Sequence, residues 1–189
     1  MPTIDPNLTW RLLEERLADE KNPRFRHQLE TVILHMKSEA VGDRGTVMST
    51  LSPTSAKYLI YDNLGEPTVM EGRPKILAWY EALPEVVDLN IEFKVEQVVV
   101  DDDVVITQGP LKRAIRGSAL AKQIPGGDVV DDPNTFYLAN SHHLIVWPFA
   151  SDGLLVGEHI FRGYTQPPEE VAKQPLRPGE IGTYNPAAA

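Results

Sequence analysis

His35 stands in the stretch from Arg24 to Asp43, RFRHQLETVILHMKSEAVGD, with Glu39 one helical turn further on. An imidazole and a carboxylate four residues apart on a helix share a face, where they form either a surface contact or a pair able to pass a proton. Around them Phe25, Leu29, Val32, Ile33, Met36 and Ala40 recur at three- and four-residue steps, so His35 lies beside an apolar stripe that must be buried. A titratable ring in such surroundings is either a lining residue of a cavity or a structural hydrogen-bond donor. A second pair, His142 and His143, sits in the strand-like run Ser141-His142-His143-Leu144-Ile145. Adjacent strand residues point to opposite faces, so only one of these two rings can serve a given pocket.

Other chemistries lack their residues. The chain has no cysteine, which removes thiolate nucleophiles and cysteine-held metals. No pair among His35, Glu39, His142, His143 and His159 has a recognised ligand spacing, so no metal is expected. Asp101 to Asp103 lacks the glycine and distal glutamate of a calcium loop, and Pro125-Gly126-Gly127-Asp128 lacks the lysine and serine of a phosphate loop. Neither a Gly-x-Ser-x-Gly elbow nor a dinucleotide fingerprint occurs. The imidazole and carboxylate groups remain as candidates, and no cofactor is expected.

The elements that must position these groups follow from pattern and punctuation. Asp5 to Asn22 carries a short amphipathic pattern with Trp10, Leu13 and Leu17, broken at Asn22-Pro23. The long helix follows, stopped by Gly42, with Asp43 placed to cap a shorter helix over Arg44 to Leu51. Lys57 to Tyr61 and Thr68 to Met70 read as a hairpin, and Pro74 opens a third helix that ends before Pro84. From Asp88 the period changes to two, with Leu89, Ile91, Phe93 and Val95 on one face. Val104 to Leu120 reads as one bent strand with a bulge or kink at Gly109-Pro110, and Thr135 to Phe149 and Leu154 to Tyr164 as two more. After Gln166 the prolines predict an extended tail without a core of its own. The expected organisation is an arm over 1–23, one domain over 24–164 and a tail over 165–189.

At 189 residues, 42% hydrophobic and 24% charged, the chain suits one folded domain with arms at its ends. A formal charge of −9 disfavours nucleic acid and anionic membrane surfaces as partners. The opening residues carry no basic start followed by an apolar run, and no run of eighteen apolar residues occurs, so a cytoplasmic protein is expected.

Helix, helix, hairpin, helix and then long antiparallel strands make an α+β class. The helix ending in Gly42-Asp43, the Met48 to Leu51 turn, the Gly65 to Gly72 hairpin, the Gly72-Arg73-Pro74-Lys75-Ile76 entry and the closing Ser151-Asp152-Gly153-Leu154-Leu155 resemble the SnoaL-like branch of the nuclear transport factor 2-like (NTF2-like) superfamily, over about Arg24 to Tyr164. The resemblance implies a cone-shaped fold, a curved, mostly antiparallel sheet against three helices, a pocket between them and a homodimer built on the open sheet face. A local likeness to the ketosteroid isomerases puts His35 at the position of their oxyanion-binding tyrosine and Asp62 at that of their general base. Ile145 falls where that family has a second, protonated aspartate, which argues against steroid isomerisation as such. By parity with Ile145, His143 shares the pocket and His142 faces away; the family match directs Glu158 and Ile160 inward and His159 outward. His35, Asp62, His143 and Glu158 are then the candidate catalytic residues, the two desolvated groups His143 and Glu158 having pKa values pushed toward neutrality. Tyr58, Tyr61, Trp79 and Tyr80, with Ile145, Trp147 and Ile160, would contact substrate. Each has a structural alternative: a helix-surface pair for His35 and Glu39, a turn-capping role for Asp62, a satisfied sheet histidine for His143, and an edge charge or dimer salt bridge for Glu158.

These readings describe a lyase or isomerase acting on a hydrophobic small molecule. A non-catalytic dimeric module binding a hydrophobic ligand or a partner protein is the alternative, and epoxide hydrolysis would need a carboxylate beside Arg113 or Arg116.

Overall fold

Helix α1 (Arg11–Asp19) follows a single turn of 3-10 helix at Pro6–Leu8. Asn22 and Pro23 do more than end it. The Asn22 side chain accepts from the Arg24 backbone N–H, and Pro23 occupies the first turn of α2 (Pro23–Ala40), where an amide hydrogen has no partner to lose. Gly42 closes α2 at φ +71°, and the Asp43 carboxylate caps α3 (Arg44–Thr50) by accepting from the Thr46 N–H. The computed structural model describes residues 2–62, 65–82, 91–125 and 130–185. Residues 63 and 64 of the expected turn, and the end of the third helix from 83, lie outside the described residues.

Strand β1 (Lys57–Asp62) pairs with β2 (Thr68–Glu71) as the expected hairpin, and α4 (Arg73–Ala82) follows. Then come β3 (Ile91–Phe93), β4 (Gln97–Asp101), β5 (Val104–Arg116), β6 (Phe136–Pro148) and β7 (His159–Thr165), with α5 (Gly117–Leu120) after β5 and α6 (Pro168–Val171) after β7. One seven-stranded sheet runs in the order β2-β1-β7-β6-β5-β3, with β4 also on β5; every pairing is antiparallel except β1 with β7. This is the α+β architecture expected.

Four local readings change. The irregularity expected at Gly109-Pro110 sits in the partner strand, because β5 runs unbroken while residues 94 to 96, between β3 and β4, bulge opposite Gly109 and Pro110. Gly109 permits this: a Cβ there would lie 2.1 Å from the Lys94 carbonyl oxygen. Strand β5 ends at Arg116, and Gly117–Leu120 turns into a helix whose Leu120 joins a second small core with Ile124, Tyr137, Val171 and Ala172. The segment after Gln166 therefore contributes to a core, contrary to expectation. Its later part pairs Ile181 with Ile4 and sets the Tyr184 ring edge-on to Trp10 at 5.2 Å. The N-terminal segment is likewise built in, with Ile4, Trp10 and Leu13 buried.

The main core lies between the helices and the inner sheet face, joining Leu29, Val32, Ile33 and Met36 of α2 to Tyr58, Ile60, Val105, Leu111, Ile145, Trp147 and Ile160 of the strands. Among the described residues no helix is long and apolar enough to cross a membrane.

Candidate functional site

His35 is fully buried, because the apolar stripe of α2 carries it against the sheet. The Thr50 hydroxyl, in the last turn of α3, donates to the Val47 carbonyl at 2.7 Å and so can only accept from His35 Nδ1, also at 2.7 Å. That fixes the tautomer, with a proton on Nδ1. The other nitrogen, Nε2, faces the Tyr58 hydroxyl at 3.0 Å and Glu158 Oε1 at 3.2 Å. Tyr58 and Tyr80 share a hydrogen bond at 3.0 Å, and the Tyr80 hydroxyl donates to Glu158 Oε1 at 3.4 Å. Four side chains from α2, β1, α4 and the approach to β7 thus close a ring of polar contacts inside an apolar core. Burial, and then the Glu158 charge beside Tyr58 and the Glu39 charge beside Tyr80, hold both phenols well above their ordinary pKa, so they stay protonated as donors. The Nε2 to Oε1 contact needs a proton of its own, carried by one partner or the other.

Gly157 lets this ring close. At φ +151° it brings the backbone before Glu158 so near β1 that a Cβ would lie 2.4 Å from the Lys57 carbonyl oxygen and 2.6 Å from Tyr58 Cδ1.

Of the four ring members, Glu158 is the one that reaches a hollow of about 140 Å³ between the sheet and the helices. Glu39 of α2 lines the same end, so the helix turns that carboxylate toward the hollow while His35 sits behind the wall. Trp79, Ile145, Trp147 and Ile160 make apolar walls, and the Trp147 indole N–H is satisfied by Thr107 at 2.9 Å. Strand parity accounts for the sheet contributions. Glu158, Ile160 and Arg162 line the hollow on β7 and its approach, and His143, Ile145 and Trp147 line it on β6.

At the other end the lining changes sign. Arg162 and Arg113 flank His143, whose N–H or lone pair at Nε2 meets the Ser141 hydroxyl at 3.1 Å. Burial first, and then the two guanidinium charges, push the His143 imidazole down to about 3. The ring is neutral at any ordinary pH. Its shift runs the opposite way from a ring tuned toward neutrality, because burial disfavours the charged imidazolium and the charges beside it are positive.

The structure therefore brings His143 and Glu158 to one hollow, with His35 directly behind Glu158. Asp62 is not among the lining residues. Its parity along β1 is that of Tyr58 and Ile60, but it stands at the far end of the strand, where a half-exposed carboxylate binds Arg162 Nη1 at 2.6 Å. By strand rise it lies roughly 13 Å from the level of Glu158, too far to serve a reaction centre held by His35. That removes the general base implied by the ketosteroid isomerase likeness. Tyr61 has the opposite parity and stacks on Phe161 at 4.4 Å, away from the hollow. Tyr58 and Tyr80 act through the buried ring, behind Trp79. Arg162 was missed in sequence, although its two-residue step from Glu158 and Ile160 marks it; Arg113 and Glu39 were noticed without a place in the pocket.

Among the described residues, His35, Glu39 and Glu158 each offer one ligand atom, all within 4.8 Å of one another. Two carboxylates and an imidazole are a reasonable donor set for a divalent ion. His35 Nε2 already has two protein partners, so a cation there would have to displace Tyr58 and Glu158 from it.

The sequence matches no family model and no curated protein. Solved structures are more informative. A protein described as a SnoaL-like polyketide cyclase from Jannaschia sp. CCS1 is 22% identical and superposes with a TM-score of 0.55 over 76% of this chain and 90% of its own. An NTF2-like protein of unknown function from Burkholderia pseudomallei K96243 gives 13% identity and 0.53, over 72% and 91%. An LEH-like epoxide hydrolase of M. tuberculosis gives 15% and 0.52, over 75% and 86%. Because these structures superpose on the chain along most of their own length, the chain has the fold of the SnoaL-like and NTF2-like proteins.

Proposed function

We propose that the chain is a cytoplasmic, cofactor-independent acid–base enzyme of the isomerase or lyase kind, with Glu158 as the group that exchanges a proton with a small, mostly apolar substrate. The observation that carries this reading is a carboxylate facing an apolar hollow while its Oε1 is held by His35 Nε2 at 3.2 Å and Tyr80 at 3.4 Å. Glu158 would remove a proton from a carbon next to a carbonyl, the C–H electrons moving into the enolate. The neutral His143 ring and Arg162, roughly 13 Å further along the sheet, would hold a second polar group of the substrate, not the enolate oxygen. Glu158, now a carboxylic acid, would return the proton to a different carbon in an isomerisation or to a departing hydroxyl in a dehydration. His35, Tyr58, Tyr80 and Thr50 are positioning residues, since none of them lines the hollow.

Deuterium uptake tests this without knowledge of the natural substrate. The protein would be incubated with a set of cyclic ketones, enones and β-hydroxy ketones in deuterated buffer and exchange next to the carbonyl followed by proton NMR. Wild type should accelerate exchange for at least one compound, and Glu158→Gln should lower that rate at least about a hundredfold. His35→Asn should lower it less and alter its pH dependence. Unchanged exchange in Glu158→Gln would remove the proposal.

The second part of the reading is a homodimer formed through the outer sheet face, where Leu144 and its cross-strand partner Phe161 are exposed and Phe161 stacks on Tyr61.

A further inference from the structure

The hollow has two chemically opposed ends. Its inner end holds Glu158 and Glu39, whose carboxylates approach each other; roughly 13 Å along β7 Arg162 lines it together with Arg113 and His143. A second hollow of about 170 Å³ meets the first there, sharing Leu111, Arg113, His143 and Arg162 as its wall.

Arg162 is the informative residue. Its Nη1 is held by Asp62 at 2.6 Å, which anchors the guanidinium from the solvent side. Its Nε is buried and has no hydrogen-bond partner. A buried donor on a charged group is expensive to leave unsatisfied, and a guanidinium edge matches a carboxylate with two parallel N–H···O bonds. His143 beside it adds polar contact without adding charge, being held neutral by its burial and then by the same two arginines.

We infer that the ligand of this hollow is an amphipathic organic anion, with an apolar body against Trp79, Trp147 and Ile160 and a carboxylate, or a group of the same shape and charge, on Arg162 and Arg113. This names the substrate class of the site read above as an acid–base centre, but recognition of the anion requires no turnover. The anion lies at the end remote from Glu158, so the two negative charges are kept apart and the reacting carbon is presented to the carboxylate base.

Calorimetric titration of the whole chain with 3-phenylpropanoate and, as a neutral match, 3-phenylpropanamide tests it. The acid should bind about tenfold tighter or better than the amide. Arg162→Gln and Arg113→Gln should each remove most of that preference. Arg162→Lys, which keeps the charge but loses the planar fork, should retain part of the preference, and so guards against loss through misfolding. Glu158→Gln, which the acid–base reading requires to be inactive, should still prefer the acid. Equal affinities, a tighter amide, no acid binding at millimolar concentration, or an Arg162→Gln protein that binds the acid as wild type does would each overturn the inference. Deuterium exchange that fails while the carboxylate preference stands would remove the enzymatic reading and leave this one.

Discussion

Two positions near the hollow have effects separable from the chemistry. Gly157 combines φ +151° with no room for a Cβ between the Lys57 carbonyl and the Tyr58 ring. Gly157→Ala should destabilise the fold by roughly 3 kcal/mol in urea unfolding, since strain and displacement add; a change under about half a kcal/mol would show that the strand can shift to make room. His143 is the second. Its folded-state pKa is about 3 against an ordinary 6.5, so as pH falls the unfolded chain takes up this proton first. Stability should therefore fall with pH across the window from 6.5 to about 3 and lose nothing further from this group below it. The loss is on the order of 4 kcal/mol at the bottom of that window. Comparing denaturant midpoints of wild type and His143→Gln across this range isolates the contribution, and parallel pH curves would refute it.

Helices and strands explain why some of the site was legible and some was not. The three-and-four spacing on α2 set His35 beside a buried stripe, and the two-residue period on β6 separated His143 from His142. Both rest on local geometry. Depth along a strand does not, which is why Asp62, with the right parity, lies at the wrong end of β1. The ring partners Thr50, Tyr58, Tyr80 and Glu158 come from four separate elements, and no periodicity foretells that their polar atoms meet. The Pro-rich composition after Gln166 hid α6, whose Val171 and Ala172 pack on Tyr137 and Leu120. The segment beyond it matters to the hollow through one contact, because Tyr184 sits on Trp10 and Trp10 lines the wall. Tyr184→Ala should cost about 1–2 kcal/mol and move tryptophan emission to longer wavelength as Trp10 gains solvent. An unshifted spectrum would mean that Trp10 is held in place by its other neighbours.

For the molecule as a whole, assembly is the property to test. Sedimentation equilibrium should give about twice the chain mass of 21.1 kDa, and Phe161→Asp, which puts a charge on the exposed apolar face, should return it to one. A wild-type mass of 21.1 kDa would exclude the pairing. Because Phe161 is exposed and points away from the hollow, the same variant should keep the carboxylate preference. The formal charge of −9 surrounds a hollow lined by two guanidinium groups, so the net charge disfavours the approach of an anion and local geometry must select it.

The bridge between Ile4 and Ile181, reinforced by Asn7 reaching the Thr183 carbonyl at 3.1 Å, ties the first turn of the chain to its last described stretch. Purification handles or reporter fusions joined at either extremity will consequently press on this clasp, and through Trp10 on whatever occupies the interior. Labels intended to leave occupancy untouched belong instead at the exposed Val99 side chain of β4.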